Sequence, residues 1–423
     1  MPKALIVGGG IGGLTAALCF NLLGWDVQLL ERSDDIREVG AGIQISPNAM
    51  KVFKRLGLDQ ALANAGFAPD AIELRMGISG MDLIRAPLGT IAMRRWGAPY
   101  LHIHRADLIS ILKTALNDRA PNALQLGHRV VGYNTSSDTV FAELADGAHF
   151  PGDLLVGADG IHSTIREQMV GPDSPRFTGN VAWRAVVPVE RLGDDAPRGV
   201  AGAWMGKGKH AVTYLLKGGR VANFVGVVER DDWTQESWTE EGSKTEALKD
   251  FNDWHPTITR LIKEADRLYR WALFDRAPLP GWIDGHAVLL GDAAHPMLPF
   301  MAQGSAMAIE DAWALAAFMA SEPSRAEALS AYQALRYPRT SAMQKGSRAN
   351  AKTFHKRTRA GQLSTYGPMW LAGRLFPELG LKQQDPIYGY DITEKTPNMP
   401  VRDDAKPSST KSAAPPEFPR QDR

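Results

Sequence analysis

A single cysteine in 423 residues excludes any intramolecular disulfide, and Cys19, set in an apolar helical run, reads as a small packing residue. Neither charge is in excess: 48 Lys and Arg stand against 47 Asp and Glu, a net charge of +1, so nothing points to a nucleic-acid partner. Long apolar runs are missing as well. The most apolar stretch, near Ala302 to Ala320, is interrupted by Glu310 and Asp311, and no bilayer span is expected. The chain enters a strand within its first residues, so no leader is expected, and the reducing cytoplasm is the expected compartment. His102 and His104 share a strand face, yet no cysteine or clustered carboxylate stands beside them to make a metal site. The length suffices for two or three cores.

What is present begins at the N-terminus. Leu5-Ile6-Val7 reads as a buried parallel strand, the next six residues fill G-x-G-x-x-G at Gly8, Gly10 and Gly13, and an apolar helical run follows from Leu14 to Leu23. Gly8 permits a tight turn, Gly10 removes a Cβ where a pyrophosphate must approach, and Gly13 allows close helix–strand packing. Phosphates would sit at the helix N-terminus, on free N–H groups and the positive end of the dipole. A second strand, Asp26 to Leu30, ends at Glu31, placed to accept a bond from a ribose hydroxyl. Strand, glycines, helix, strand and acid in this order predict a dinucleotide cradle.

Further along, Ser46-Pro47 opens a helix over 47–56, and Gly40 to Ile45 is too glycine-rich for an ordinary strand and reads as backbone passing close to a ligand. Short strand-like pieces from 71 to 101 suggest an excursion into a separate sheet shared with the β-rich block 181–228. Helical spacing returns at 105–120, strands follow at 124–133 and 139–144, and helices at 244–265. Two more strands end in acid–glycine pairs, Asp159-Gly160 and Gly291-Asp292. A helix runs through Asp311 to Phe318, and helical spacing continues over 325–359 with a break expected at Pro338. That late helix carries Arg339, Lys345, Arg348, Lys352, Lys356, Arg357 and Arg359, which either steer an anion or form a solvated face balanced elsewhere. Residues 394–423 read as a disordered tail.

Three strand-end signals in this order, Gly8 to Gly13 with Glu31, Asp159-Gly160 and Gly291-Asp292, resemble the single-component FAD-dependent aromatic monooxygenases over residues 3–393. The stretch from Gly291 to Ala312 and the late Asp385-Pro386-Ile387-Tyr388-Gly389-Tyr390-Asp391 look like the branch of 6-hydroxynicotinate, 3-hydroxybenzoate and salicylate hydroxylases. Many relatives carry glycine where Ala302 stands. The resemblance implies an α/β fold: a Rossmann-like FAD-binding domain of the para-hydroxybenzoate hydroxylase type with an inserted β-sheet substrate domain and C-terminal helices. The implied boundaries are 1–70, 101–180 and 275–320 for FAD, 71–100 and 181–274 for substrate, and 321–393 for the C-terminal helices. It also implies that FAD is held by Gly8, Gly10, Ile11, Gly12, Gly13, Glu31, Arg32, Gly42, Arg105, Val130, Asp159, Asp292, Pro299, Gln303, Gly304 and Ser305. Implied substrate contacts are Gln44, Ala201 and Met297, although hydroxynicotinate enzymes are expected to carry His and Cys at the first two.

The chemistry expected of such a site takes a hydride from NADH, ahead of NADPH, and turns dioxygen into an electrophilic C4a-hydroperoxide, which attacks an electron-rich ring. A base near the substrate hydroxyl makes the ring richer, and water must be excluded. His210 and Tyr214, four apart on a strand and so on one face, are the candidates for base and helper, as in the 6-hydroxynicotinate branch; a packing histidine is the alternative. His295 reads as a loop-shaping residue, Arg184 as a carboxylate clamp or a surface ion pair, and Trp233, Trp238 and Trp254 as packing. The expected partners are a small aromatic acid and dioxygen, in a monomer or homodimer. An oxidase or dehydrogenase on the same fold, or a ligand-binding flavoprotein without turnover, are the competing readings.

Overall fold

The computed structural model describes residues 1–36, 42–230, 241–376 and 379–399. Its first sheet runs in the spatial order Ile283–Asp284, Ala287–Leu289, Leu154–Gly157, Lys3–Val7, Asp26–Leu30 and Leu124–Gln125. The pairings of Lys3–Val7 on both sides are parallel, and every interior position from Ala4 to Ile6 is buried, which explains its unbroken apolar run. Helix Ile11–Leu22 is buried almost all round because it lies between this sheet and helix Gly304–Ser321, itself buried from Ala306 to Ala317.

A second, seven-stranded sheet runs Tyr269–Asp275, Arg176–Pro188, Val221–Glu229, Lys209–Leu216, Ala201–Gly206, Ala71–Met76 and Asp82–Pro87. The excursion near 71–101 and the later β-rich block therefore share one sheet, joined where Ala71–Met76 pairs in parallel with Ala201–Gly206. One side of the sheet packs Trp183, Phe224 and Trp204 against Phe251, Ile258 and Leu261 of two helices, Lys244–Phe251 and Pro256–Glu264, and against Trp254 in the link between them. Trp254 is thus a packing residue, as its sequence context suggested, while Trp233 and Trp238 lie outside the described residues.

The structure departs from the sequence reading in four places. Gly42–Ile45 is a strand after all, paired antiparallel with Leu101–His104, while Gly40 lies outside the described residues. Its glycine is required by packing: a Cβ on Gly42 would stand 2.5 Å from Tyr214 Cε2. Residues Thr90–Trp96, read as part of a strand-and-turn excursion, are helical, with Ala92 and Trp96 buried one turn apart. Helix Arg325–Phe354 continues through Pro338 without a break, held by buried Arg336 and Thr340 on either side of it. Finally, the expected tail begins too early. Helix Ile392–Lys395 is docked on the first domain by Trp313 Nε1 donating to Thr396 Oγ1 at 3.2 Å, and only 400–423 lie outside the described residues.

Candidate active site

The glycine turn opens a cavity of about 340 Å³ lined by Gly8, Gly10, Glu31, Arg32, Arg105, Val130 and Asp159. Gly8 adopts φ +107°, and a Cβ there would stand 2.5 Å from Ala158 O. A Cβ on Gly13 would come within 1.9 Å of Gly8 O, whereas one on Gly10 would meet nothing within 4 Å and would protrude into the cavity. Gly10 caps the helix in extended conformation with no side chain over the helix N-terminus, so the first N–H groups remain available. Glu31 is positioned by Gly9 N (2.7 Å) and Ser33 N (2.9 Å), which donate to its two carboxylate oxygens. Opposite it, Asp159 Oδ2 accepts from Thr164 N at 2.8 Å, while Oδ1 is buried without a partner among the described residues. Burial raises the Asp159 pKa above the ordinary carboxyl range, against the pull of those hydrogen bonds.

The segment 291–305 is held from behind by a buried charge network. Arg336 donates to Glu310 (2.6 Å) and Asp311 (2.7 Å), and all three side chains are fully buried. Asp311 Oδ2 in turn takes Gly291 N (3.1 Å) and contacts His295 Nε2 (2.6 Å). Glu310 takes Arg339 Nε (2.8 Å) and Asn48 Nδ2 (2.6 Å). Asn48 also reaches Gln303 Oε1 at 3.2 Å, and Gln303 Nε2 donates to Ser46 Oγ at 3.0 Å. The Asp292 carboxylate is left facing open space, yet protein walls surround it and raise its pKa, with His295 and Arg105 opposing. Its Oδ1 lies 3.9 Å from where a Cβ on Gly304 would stand, so acid and helix N-terminus adjoin.

A second cavity, of about 390 Å³, lies on the other face of the large sheet and touches Pro299–Ala302 of this loop. Ile72, Leu74, Val212, Val225, Val227, Phe300 and Phe354 make most of its wall; polar atoms come from Gln44, Tyr100, His210, Tyr214, Asn350, Gln383, Gln384 and Tyr388. No Lys, Arg, Asp or Glu lines it among the described residues. His210 is buried, and desolvation, helped by His355, places its pKa well below the ordinary imidazole value, so it is neutral near pH 7. Burial pushes the Tyr214 phenol up to about 12, which keeps it a proton donor.

A cradle for a dinucleotide beside an apolar cavity with a neutral histidine has clear relatives. Residues 1–347 match the family model described as FAD binding domain. Over 392 residues the chain is 35% identical to 3-hydroxybenzoate 6-hydroxylase 1 of Aquipseudomonas alcaligenes, covering 92% of this chain and 98% of that one. Over 354 residues it is 36% identical to 6-hydroxynicotinate 3-monooxygenase of Bordetella bronchiseptica, covering 80% of this chain and 91% of that one. This chain belongs to the FAD-binding aromatic monooxygenases. In solved structures the same fold is seen in HpxO of Klebsiella pneumoniae complexed with FAD and uric acid, TM-score 0.79 at 26% identity, covering 88% of this chain and 94% of that one. A salicylate hydroxylase substrate complex gives TM-score 0.78 at 25% identity, covering 93% and 97%.

The cradle of this monooxygenase fits FAD: the Gly10 gap, the unclaimed helix N-terminus and the unpartnered Asp159 Oδ1 all border one cavity. Ile11, Gly12 and Gly13 sit behind its lining and shape it through packing; a Cβ on Gly12 would stand 2.8 Å from Leu290 Cδ2. Gln303 is buried and braces the loop, Gly304 and Ser305 form the first turn of their helix, and Pro299 lines the second cavity instead of the first. Gly42 lines neither cavity; its N–H is bound by Asn223 Oδ1 (2.9 Å).

Gln44, Ala201, His210 and Tyr214 line the second cavity together. Met297 does not, because it packs against the core of the first domain beside Gly304. Arg184 is also off the lining: its guanidinium stacks on Trp271 at 4.3 Å and donates to Gly42 O at 3.4 Å. His295 shapes the loop through Asp311, as its sequence context suggested. Three cations of the basic late stretch are balanced elsewhere, Arg339 by Glu310 and Arg348 by Asp275 on the helix, and Arg357, which lies beyond the helix end at Phe354 instead of within helical spacing to 359, by Glu229. Arg339 also donates to the carbonyls of Pro386 and Ile387 at 3.1 Å, which docks the segment carrying Tyr388 against the cavity. Sequence reasoning missed Tyr100, whose hydroxyl donates to Gln44 Oε1 at 2.9 Å, and His355, which touches His210. Tyr388 stood in the C-terminal signature, so that signal was present; Tyr100 and His355 carried none.

Proposed function

We propose that this monooxygenase consumes NADH or NADPH and dioxygen to hydroxylate a small aromatic or pyridine carboxylic acid that already bears a ring hydroxyl. The supporting observation is the apolar second cavity, which sets neutral His210 and Tyr214 on one wall and touches the loop that follows Asp292. FAD in the cradle supplies the redox and oxygen-transfer chemistry. The remaining work falls to the chain. Gly10, Glu31 and Asp159 bind, the loop braced by Asp311 positions, and Phe300, Phe354 and the valines exclude water. His210 takes the proton of the substrate hydroxyl, which raises the electron density of the ring, and Tyr214 donates a hydrogen bond to the oxygen that results.

Because the lining carries no formal charge, the carboxylate of such an acid is held by neutral donors, the amides of Gln44, Gln383, Gln384 and Asn350 and the phenol of Tyr388, while Tyr100 fixes the Gln44 amide by donating to its oxygen. The names of the relatives, which specify hydroxybenzoate and hydroxynicotinate, support the substrate class. The test follows oxidation of reduced nicotinamide by the FAD-loaded enzyme with a panel of hydroxybenzoates and hydroxynicotinates, assaying hydroxylated product and peroxide in the same tube. One panel member is expected to accelerate oxidation and to appear as product labelled from isotopic dioxygen. Peroxide alone with every panel member overturns the reading.

A further inference from the structure

His210 is joined to a second imidazole and then to a carboxylate at the protein surface. His355 follows the last residue of helix Arg325–Phe354, and its own N–H closes that helix on Ala351 O at 3.1 Å. The His355 ring is buried, with Nε2 2.6 Å from His210 Nδ1 and Nδ1 3.1 Å from Glu229 Oε1. Glu229 ends the strand that pairs with that of His210, and its side chain is 24% exposed beside Arg357, which is 68% exposed. The rings of Phe300 and Phe354 pack edge-on against His210 with centroids at 4.9 and 5.2 Å.

Donor and acceptor counting sets the protons in this row. An ionised Glu229 only accepts, so His355 Nδ1 carries hydrogen; neutral His355 then has a bare Nε2, which accepts from His210 Nδ1–H. His210 is left with a lone pair on Nε2, the form a base requires. We propose that His355 and Glu229 are the proton exit of the substrate cavity, carrying to solvent the proton that His210 receives. The inference rests on the function proposed above for His210. In the forward step the substrate O–H bond breaks and an N–H bond forms at His210 Nε2. The Nδ1 proton of His210 moves to His355 Nε2, and His355 Nδ1 releases its own through Glu229 Oε1 to water. Reverse transfer, when product is protonated for release, restores both tautomers. No electron moves. The charged and titratable groups facing the pair are His355 on His210, and Glu229 and Arg357 on His355.

Two measurements test the relay. The first needs no substrate: nitrogen-15 NMR of histidine-labelled holoenzyme is expected to show Nδ1–H, Nε2-bare tautomers for both His210 and His355. In Glu229→Gln the His355 signal is expected to lose this bias. A protonated Nε2 on His210 in the wild-type enzyme overturns the proposal even if the enzyme hydroxylates. The second mixes holoenzyme with the panel compound that gives product and follows proton release with an indicator dye. In His355→Gln, and independently in Glu229→Gln, release is expected to slow at least about tenfold at unchanged ligand affinity and to recover with added imidazole. Wild-type release rates in both variants refute the relay while leaving the hydroxylase reading intact. If no panel compound gives product, the function falls and the NMR result alone decides the tautomer wire.

Discussion

Arg336→Met removes the cation that two buried acids share. Arg336, Glu310 and Asp311 are all fully buried, with contacts of 2.6 and 2.7 Å. Removing one partner of a buried pair costs about 3–5 kcal/mol, because the remaining charge stays desolvated. Here the acids keep other donors, Arg339 and Asn48 on Glu310, His295 and Gly291 N on Asp311, so the lower end, about 3 kcal/mol, is expected. The pH dependence has a definite sign. Burial alone would raise both carboxyls, but Arg336 and Arg339 outweigh it at Glu310, and His295 and Arg336 at Asp311, so both pKa values lie below the ordinary range. The stability they contribute is therefore complete above the unfolded carboxyl value, about 4, and is lost as pH falls through the lower folded values. The gap between wild type and variant should accordingly be widest near neutrality and should narrow in acid. Urea unfolding of the apoprotein at several pH values measures this, and FAD fluorescence of the separately loaded holoenzyme reports retention. FAD binding should weaken too, since Asp311 holds Gly291 and His295 on either side of Asp292. A loss below about 1 kcal/mol with unchanged FAD retention would refute the reasoning, since a buried carboxylate stripped of its cation costs well above that.

Two cradle glycines should fail differently. Gly13→Ala, whose Cβ would lie 1.9 Å from Gly8 O, should destabilise the fold itself, whereas Gly10→Val should give a folded but colourless protein. Equal yields of yellow protein from both would contradict the cradle geometry. Ala302 holds φ +53°, a left-handed conformation costing about 1–2 kcal/mol for a residue with a Cβ. Ala302→Gly should gain up to about 1 kcal/mol after glycine's extra unfolded entropy is subtracted, and Ala302→Val should lose stability; urea midpoints moving in the same direction would contradict this. Desolvation lowers the buried His102 pKa from 6.5 to about 3, so the unfolded chain binds the extra proton between those values. Stability is then complete above pH 6.5 and falls toward pH 3, by up to about 1.4 kcal/mol per unit, and His102→Phe should flatten that limb in acid unfolding curves.

Which parts were legible from sequence follows the range of the interactions involved. The first domain was readable because each of its signals is local: Leu5 to Val7 is a buried strand wherever it pairs, and Gly8, Gly10 and Gly13 act through a turn only six residues long. His210 and Tyr214 were readable as a pair because strand geometry alone puts residues four apart on one face. Met297 read as a ligand contact and Arg184 as a carboxylate clamp or a surface ion pair, but their neighbours, the first-domain core for Met297 and Trp271 and Gly42 for Arg184, come from distant segments. Pro338 read as a break because the tertiary anchors around it, Arg336 with Glu310 and Asp311, are invisible in the local pattern.

The sequence by itself determined the cradle, the inserted sheet and the wall that carries His210, since turn chemistry and the periods of strand and helix are properties of neighbouring residues. Only the tertiary structure decided what stands behind them: the buried charges under the loop that carries Asp292, the uncharged lining of the second cavity, and the row from His210 through His355 to Glu229. Those arrangements join side chains 16 to 262 residues apart. Burial, charge and proton position depend on which distant groups exclude water from a given atom, and no local pattern records that.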